Sequence, residues 1–476
     1  MAKIISIGSE QFLKGITTIP YYEGLGIIDS ATNVDFWRNP GLISAGYTST
    51  DIGGADVTNI PKWIFNYPAR SRVYVVGAGG SLDSPATSGK IYAFNMASDT
   101  LTDTVHSNVG ATAIRGALLL NDNLFYTYGN YIGRAYVNTY PALWYDTWQG
   151  NAWTYSGTHP IIKGPDNNAY VLDGRSIDRI TIVSTASSTY TTDALNNMLP
   201  FGMVGLCGVS DGNYLVIGMS SRVYGLSGID YADYNSSIVF WDTFSPSFNK
   251  KYDFAGGPVR KLVMKGGNIL AFVGDNIYQC SYDSEPQLYL SSKTVENMTT
   301  QADSEANSVD VADGQLLWGG RNKRDIWSLG SPLPQFNSIL SSPHRVPAGE
   351  NIACVKRITK DKIYVGTDAN KLYAFKTSTS SYVKRTIPVS LGGFFSITSA
   401  KVNFQTGGQA TVSIQNSDKT NILSQTIDGS RKSQRITRKG TVSPIVDRVI
   451  FRVESRTATI KSIDLFGTPV DEEYAE

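Results

Sequence analysis

Ile269-Leu-Ala-Phe-Val-Gly274 is a short apolar segment that ends at a glycine, and six further segments of the chain follow the same pattern. They are Val73-Tyr-Val-Val-Gly77, Leu124-Phe-Tyr-Thr-Tyr-Gly129, Ala169-Tyr-Val-Leu-Asp-Gly174, Tyr214-Leu-Val-Ile-Gly218, Leu316-Leu-Trp-Gly319 and Ile363-Tyr-Val-Gly366. Successive glycines lie 52, 45, 44, 56, 45 and 47 residues apart. Because short strands that recur every ~40–50 residues are typical of propeller blades, we predict a β-propeller of about seven blades. One blade cannot bury its own apolar face, so the repeats must close into a ring.

A second strand follows several of these glycines. Lys90-Ile-Tyr-Ala-Phe94 and Lys371-Leu-Tyr-Ala-Phe375 each place an apolar residue beside an aromatic one, as a half-buried strand requires. Turn sequences such as Asp211-Gly-Asn213 and Asp313-Gly314 separate the strands. Blades two and three are the least regular, so the pattern leaves a count of about six to eight blades open.

The composition excludes several classes of protein. Charged residues make up 17% of the chain, and no segment keeps a helical apolar period, so the class is all-β. Lys and Arg number 42 against 41 for Asp and Glu, which argues against generic nucleic-acid binding and suits packing against copies of the same chain. We expect no signal peptide and no membrane span, because no apolar stretch approaches the ~18 residues that a span needs. Cys207, Cys280 and Cys354 are expected to be buried thiols in a protein made in a reducing cytoplasm.

The pattern divides the chain into four regions. Residues 1–58 are punctuated by Gly, Pro and Asn too often for a domain and are predicted to form an extended arm. The end of this arm, residues 41–52, is a candidate for the outer strand that closes the last blade. The propeller is predicted at 59–391 and a β-sandwich at 392–470, after the break at Gly392-Gly393, and 471–476 is an acidic tail.

Alternation supports the C-terminal sandwich. Val402 and Phe404 alternate with polar neighbours, as in a strand with one buried and one wet face. Ile460 has the opposite parity to Ile463 and Leu465, which predicts a bulge or a strand end near Ser462.

Signals of catalysis are absent from the sequence, and we predict no catalytic, cofactor-binding or metal-binding residue. The three histidines, His106, His159 and His344, have no partner at metal-ligand spacing and are interpreted as surface residues of loops. Asp310-Val-Ala-Asp-Gly314 superficially suggests a calcium loop, but a hairpin turn explains it better.

Two clusters are candidates for contacts with a partner. Three tryptophans are close together, and they either fill the gap between blades two and three, form a protein interface or stack on sugars: Trp144, Trp148 and Trp153. A basic run faces an acidic neighbour, a phosphate backbone or solvent, and we expect it to point away from any central bore: Arg431, Lys432, Arg435, Arg438 and Lys439.

The N-terminal arm carries a resemblance. Gly24-Leu-Gly26 followed by Ala31-Thr-Asn-Val-Asp-Phe-Trp-Arg-Asn-Pro-Gly41 resembles the opening of propeller proteins in the virions of tailed bacteriophages. The ending around Phe451-Arg-Val453 and Ile460-Lys-Ser-Ile463 is similar to the C-terminal β-module of such tail proteins. The resemblance covers about forty residues and the overall layout, and it implies a subunit of a tail nozzle or tail tip.

From these observations we expect a non-enzymatic subunit that assembles as a ring of copies with other virion proteins and touches DNA at most transiently. The arm is the main candidate for contacts between copies, because it must bury Phe12, Ile19, Phe36 and Trp37 somewhere. The alternatives are a carbohydrate-binding protein that recognises a host surface through its tryptophans, and a propeller enzyme with polar residues at the mouth of its channel.

Overall fold

The computed structural model describes residues 2–8, 28–32, 34–35, 44–45, 47–78, 89–109, 113–139, 142–150, 157, 159–183, 187–195, 199–221, 235–294, 298–302, 306–320, 323–330, 339–377, 382–386, 388–438, 444–455 and 458–470. The arm contributes five strands: β1 (Ala2–Ile7), β2 (Ile28–Thr32), β3 (Val34–Asp35), β4 (Ser44–Ala45) and β5 (Tyr47–Asp51). Short 3-10 turns at Pro68–Arg70 and Ser292–Thr294 are the helical elements of the described residues. In that part of the chain, no helix has the length and apolar character needed to cross a membrane.

Seven four-stranded antiparallel sheets form the predicted propeller. Blade one contains β6 (Pro61–Tyr67), β7 (Arg72–Gly77), β8 (Gly89–Asn95) and β9 (Leu101–Val109). Blade two contains β10 (Ile114–Leu120), β11 (Asn123–Tyr128), β12 (Tyr131–Tyr136) and β13 (Leu143–Gly150). Blade three contains β14 (Ile161–Lys163), β15 (Ala169–Asp173), β16 (Ser176–Ile182) and β17 (Ser188–Leu195). Blade four contains β18 (Met203–Ser210), β19 (Leu215–Ser221), β20 (Ser236–Trp241) and β21 (Lys250–Phe254).

The remaining blades complete the ring. Blade five contains β22 (Val259–Lys265), β23 (Asn268–Val273), β24 (Asn276–Cys280) and β25 (Gln287–Ser291). Blade six contains β26 (Val309–Ala312), β27 (Gln315–Gly319), β28 (Asp325–Gly330) and β29 (Ile339–Arg345). Blade seven contains β30 (Ile352–Thr359), β31 (Lys362–Thr367) and β32 (Leu372–Thr377), and its outer strand is β5 from the arm.

The arm closes the ring, as its sequence predicts. β5 pairs antiparallel with β32, and the register runs from Tyr47 opposite Thr377 to Asp51 opposite Tyr373. Blade seven therefore combines residues from both ends of the propeller sequence. Such an exchange ties the last blade to the first part of the chain, so opening the ring requires breaking a β-ladder as well as an interface.

An apolar cluster fills each contact between neighbouring blades. Tyr364 and Cys354 of blade seven pack in one cluster with Val73 and Phe94 of blade one. Equivalent clusters join blades one and two, two and three, three and four, four and five, and six and seven. The cluster between blades five and six is larger, because it continues into the C-terminal sheet. Burial between blades, rather than within them, holds the ring together.

The repeated glycine has a steric cause in three blades. A Cβ atom on Gly319 would lie 2.2 Å from Cγ2 of Ile352, which is the first residue of the next blade. A Cβ on Gly218 would meet Val259 at 2.5 Å, and one on Gly366 would meet Pro61 at 2.7 Å. Val259 and Pro61 are likewise the first residues of the next blades around the ring. The glycine therefore marks where the second strand of one blade touches the start of the next.

The C-terminal module is one nine-stranded antiparallel sheet that curves around its own core as a half-barrel. Its strands are β33 (Tyr382–Thr386), β34 (Val389–Thr406), β35 (Gln409–Gln415), β36 (Asn421–Asp428), β37 (Ser433–Thr437), β38 (Ile445–Ser455) and β39 (Thr459–Pro469), together with β1 and β2 of the arm. β1 pairs with β39 and β2 pairs with β33, so the arm covers two edges of this sheet.

Two details of this module bear on its predicted limits. The strand β33 at residues 382–386 already belongs to the sheet, which begins before the predicted start at 392. Gly392 and Gly393 lie inside β34 rather than between two modules, and the register shifts there between Ser390 and Phe395. Because β34 pairs with β38 on both sides of these glycines, β34 continues across them as one strand. The predicted irregularity near Ser462 is present as a register shift between Ser462 and Ile460.

Substitution of Gly319 is expected to loosen the ring. Gly319→Ala forces a Cβ into Ile352 and should lower the free energy of unfolding by about 1–3 kcal/mol. Gly150→Ala is the matched control, because a Cβ at this position would lie 3.9 Å from the nearest atom, which belongs to Tyr131. Urea denaturation of the two variants measures the difference. Equal losses in both would contradict the steric explanation.

A buried lysine is expected to make the stability of the chain depend on pH. Burial lowers the pKa of Lys384 in β33 to about 7, whereas the pKa of an unfolded lysine is about 10.4. Between these values the unfolded chain binds more protons, so the free energy of unfolding should rise as the pH rises from about 7 to 10. Lys384→Met should remove most of this slope, and Lys163→Met, at an exposed position, should keep it. Denaturation midpoints across this pH range test the expectation, which fails if Lys384→Met keeps the full slope.

Candidate functional site

The first strands of the blades surround a central cavity. Its lining residues come from β6, β10, β14, β18 and β22 and from the segment around the start of β26. The cavity has a volume of about 150 Å³ and is partly open to solvent. That volume is of the order that holds one benzene-sized ligand in a protein interior. The cavity is therefore large enough for one small molecule.

Apolar walls and a few polar side chains make up this cavity. Trp63, Ile162 and Leu206 supply apolar surface, while Arg115, Lys261 and Asn307 are polar. Such a combination of apolar surface and few polar groups is typical of ligand sites. Arg115 and Lys261 are both partly buried, and one Arg115 N–H donates to the Gly157 carbonyl at 3.4 Å. The three polar residues come from blades two, five and six, so the sequence alone did not bring them together.

A buried charge cluster seals the contact between the last and the first blade. Asp99, in the turn between β8 and β9, accepts hydrogen bonds from Lys362 Nζ at 2.6 Å and from the Tyr364 hydroxyl at 2.5 Å. The ammonium of Lys376 pairs with the other carboxylate oxygen. Burial by itself would raise the pKa of Asp99, but the bonds from Lys362, Lys376 and Tyr364 outweigh it and hold this pKa below its ordinary value. The cluster joins residues more than 260 positions apart.

Two of the histidines, His159 and His344, are buried rather than exposed. His159 is buried, and its Nε2 lies 3.5 Å from Oδ1 of the buried Asp173. His344, in β29, stacks on Tyr47 of the closing strand with ring centroids 4.6 Å apart. The interpretation of these two residues as surface histidines is wrong, because the chain packs them between blades and turns. The side chain of His106 is outside the described residues.

The acidic segment Asp310–Gly314 forms a hairpin. Asp313 and Gly314, with φ of 52° and 74°, make the two-residue turn between β26 and β27. Asp310 is buried and accepts from Lys356 Nζ at 2.6 Å and from the Arg357 N–H at 2.8 Å. Within the described ranges, no group of three or more His, Cys, Asp or Glu residues is arranged to hold a metal ion.

Among the predicted contact tryptophans, Trp148 is half-buried on β13, the outer strand of blade two. Its ring lies 5.7 Å from that of Phe125, and the Arg134 guanidinium lies 5.8 Å from its centroid. Trp148 also packs against the apolar cluster between blades two and three. This placement favours the packing interpretation for Trp148. The side chain of Trp144 and all of Trp153 are outside the described residues.

The basic run lies at an edge of the C-terminal sheet. Arg431, Lys432 and Arg435 are exposed, and Arg438 is half-buried. Arg435 Nε donates to the Ser399 hydroxyl at 3.0 Å, and its guanidinium lies 5.2 Å from the Phe466 ring centroid. None of these four residues lines the propeller cavity.

The other residues predicted to contact a partner lie outside the described part of the chain. Lys439 and four residues of the arm are outside the described residues: Phe12, Ile19, Phe36 and Trp37. The described strands of the arm pair with sheets of the same chain. The three cysteines are buried, as predicted, and burial raises the pKa of Cys207 and of Cys280 to about 12.

Comparisons with known proteins do not assign the chain to a family. No family model matches the chain, and no curated protein matches it. A catalytically inactive virginiamycin B lyase from Staphylococcus aureus with quinupristin is 12% identical, with a TM-score of 0.47, over 70% of this chain and 100% of its own. YCF48 bound to the D1 peptide is 10% identical, with a TM-score of 0.45, over 70% and 95%. The Dos1 propeller is 10% identical, with a TM-score of 0.43, over 69% and 95%.

Removal of the Asp99 carboxylate should weaken the contact between blades one and seven that closes the ring. Asp99→Ala removes the acceptor of the Tyr364 hydroxyl and the carboxylate partner of Lys362, which keeps only its bond to the Met96 carbonyl, and should lower the free energy of unfolding by about 3 kcal/mol. Because the pKa of Asp99 is depressed in the folded chain, its stabilisation is present above the unfolded value of about 3.9 and is lost as the pH falls through the folded value. The difference between wild type and variant should therefore shrink below about pH 4.

A matched control compares the loss of Asp99 with the loss of an exposed carboxylate. Asp447→Ala removes an exposed carboxylate and should change the free energy of unfolding by less than about 0.5 kcal/mol. Thermal or urea denaturation at neutral and acidic pH gives both quantities. If Asp99→Ala behaved like Asp447→Ala, the cluster would contribute nothing to closure.

Proposed function

We propose that this chain is a non-enzymatic structural subunit of a bacteriophage particle, assembled in the tail as a ring of copies that acts as conduit wall or adaptor. The observation that carries the proposal is the path of the N-terminal arm. Its strands join both modules, with β1 and β2 in the C-terminal sheet and β5 in blade seven. Of the segment that carries the resemblance to tail proteins, residues 28–32 form β2 and pair with the C-terminal sheet.

This path suits a subunit that bears mechanical load. The arm strands add backbone ladders between modules that already share an apolar core. That core contains Phe272 and Trp318 of blades five and six together with Val402, Phe451 and Leu465 of the C-terminal sheet. A force that separates the modules must break both the core and the ladders. Rigid coupling of two modules is what a wall or adaptor needs.

Exposed apolar side chains on the propeller are candidates for contacts between copies. Phe201 is 90% exposed in the connection between blades three and four, and Phe244 is 83% exposed in the loop between β20 and β21 of blade four. Large apolar side chains in water favour association when a complementary surface is present. A nearly neutral chain, with a formal net charge of +1, puts little electrostatic repulsion between copies.

In this proposal any passage for DNA lies between subunits. The propeller cavity of about 150 Å³ cannot admit a duplex, whose major groove alone is about 12 Å wide. A ring of copies is therefore needed to enclose a conduit. A carbohydrate-binding role has less support, because Trp148 packs against Phe125 instead of offering both faces to a sugar.

The test uses particles made from the genome that encodes this chain. We expect quantitative mass spectrometry of purified particles to find the chain at a fixed number of several copies per particle. Phe201→Ser and Phe244→Ser should reduce incorporation while leaving the melting temperature unchanged, because both side chains are exposed. Lys163→Ser, another exposed position, should incorporate normally. Absence of the chain from purified particles would overturn the proposal.

A further inference from the structure

We propose that the acidic segment at residues 471–476 docks at one end of the C-terminal sheet of the same chain, where it meets Arg438, Arg435 and Lys401. These six residues follow β39 and lie outside the described residues. The docking depends on charge, register and reach, and it does not require the proposed role in a particle.

The segment and its proposed site have opposite charges. Four of the six residues of the segment are acidic: Asp471, Glu472, Glu473 and Glu476. Lys401 on β34 and Arg435 on β37 are exposed and lie opposite each other in the β-ladder. Arg435 is held in place, because its Nε donates to the Ser399 hydroxyl at 3.0 Å and its guanidinium lies 5.2 Å from the Phe466 ring centroid. An acidic peptide that crosses this surface therefore meets a fixed cation.

Two of the cations have no carboxylate partner in the described part of the chain. There, no Asp or Glu lies within ion-pair distance of Lys401 or Arg438. The acidic residue opposite Lys401 on β39 is Asp464, which already pairs with Lys3 at 3.0 Å and accepts from the Ser6 hydroxyl at 2.5 Å. A segment with four carboxylates supplies the counter-charges that these two cations lack.

Arg438 also has an unfilled hydrogen-bond donor. Its backbone N–H donates to the Thr398 carbonyl at 3.3 Å, which places Arg438 just past the end of β37. The residue is half-buried, and its Nη1 is buried without a hydrogen-bond acceptor among the described residues. A buried donor without an acceptor is costly, and a guanidinium pairs best with a carboxylate, which can accept two parallel N–H bonds. The contact with Arg438 is therefore the centre of the proposed docking.

The segment starts close to these cations. The Val470 N–H donates to the Phe394 carbonyl at 2.9 Å, so the segment begins beside Phe394. Arg438 lies beside Thr398, four residues farther along β34 and on the opposite side of that strand from β39. At ~3.3 Å per residue and ~4.8 Å between strands, the separation is about 16 Å. Six extended residues span up to ~20 Å, so the segment can turn back across β34 and reach Arg438.

The same distances exclude the first half of the basic run as a site within one chain. The Phe404 N–H donates to the Lys432 carbonyl at 2.9 Å, so Lys432 lies ten residues along β34 from Phe394. That separation is about 34 Å along and across the sheet, well beyond the length of the segment. Contact of the segment with Lys432 would therefore come from a neighbouring copy, whereas Arg438 is within reach of its own chain.

Zero-length carbodiimide cross-linking of the full chain, read by peptide mass spectrometry, tests the docking. We expect cross-links between the carboxylates of residues 471–476 and the Lys401 amine. Arg438→Lys places an amine at the centre of the site and should add a cross-link at position 438. Lys3 is the matched control, because it is also near the end of β39 but lies on the side away from β37, and it should react less. Salt at about 1 M should remove the preference for Lys401, because it screens exposed charges.

Arg438→Gln separates docking from mere proximity of the segment. This change should lower the ratio of Lys401 to Lys3 cross-links by at least about threefold, because it removes the central charge pair. Lys163→Gln, at an exposed position of the propeller, should leave the ratio unchanged. An unchanged ratio in Arg438→Gln, shown to be folded by circular dichroism, would overturn the docking, and so would the absence of cross-links to Lys401 in the wild-type chain.

A mixture of unlabelled and nitrogen-15-labelled chains identifies which chain supplies the segment. We expect each cross-linked peptide pair to carry a single label, which supports docking within one chain. Pairs that combine both labels, or cross-links to Lys432, would show that the segment of a neighbouring copy occupies the site and would contradict the proposal.

Discussion

Closure of the ring is the constraint on which the rest of the structure depends. Each blade buries its apolar face only against a neighbour, so an open ring would expose two such faces to water. The chain closes the ring in two ways at the same contact. The strand β5 supplies the outer strand of blade seven, and Asp99 of blade one binds Lys362, Lys376 and Tyr364 of blade seven. A ladder and a buried charge cluster thus reinforce the apolar cluster between these blades.

The same constraint explains why the repeat is visible in the sequence and where it is imperfect. In three blades the marker glycine is required because the next blade begins against it, as at Gly319 and Ile352. In blades two, three and five the corresponding glycines, Gly129, Gly174 and Gly274, have φ of 45°, 62° and 52° and serve hairpin turns instead. Two different physical demands thus select the same residue.

Local patterns predicted the parts of the fold that local physics decides. Blade strands, hairpin turns and the shift near Ser462 depend on alternation and turn chemistry within a few residues. The pairing of Ala2–Ile7 with β39 depends on residues more than 450 positions away, and no local signal specifies it. The glycine pair at 392–393 indicated a boundary, yet pairing with β38 on both sides carries β34 through it. The cavity constellation was hidden for the same reason, since Arg115, Lys261 and Asn307 meet only once the ring has closed.

Closure also decides which charges meet. Near-equal numbers of basic and acidic residues in the sequence do not say which of them pair, and only the closed ring brings Asp99 of blade one to Lys362 and Lys376 of blade seven. In an open ring these groups would be solvated separately, so their pairing forms together with the apolar cluster between the same two blades. Because the pKa of Asp99 is lowered by this pairing, protonation of Asp99 at acidic pH weakens the contact on which the apolar cluster depends.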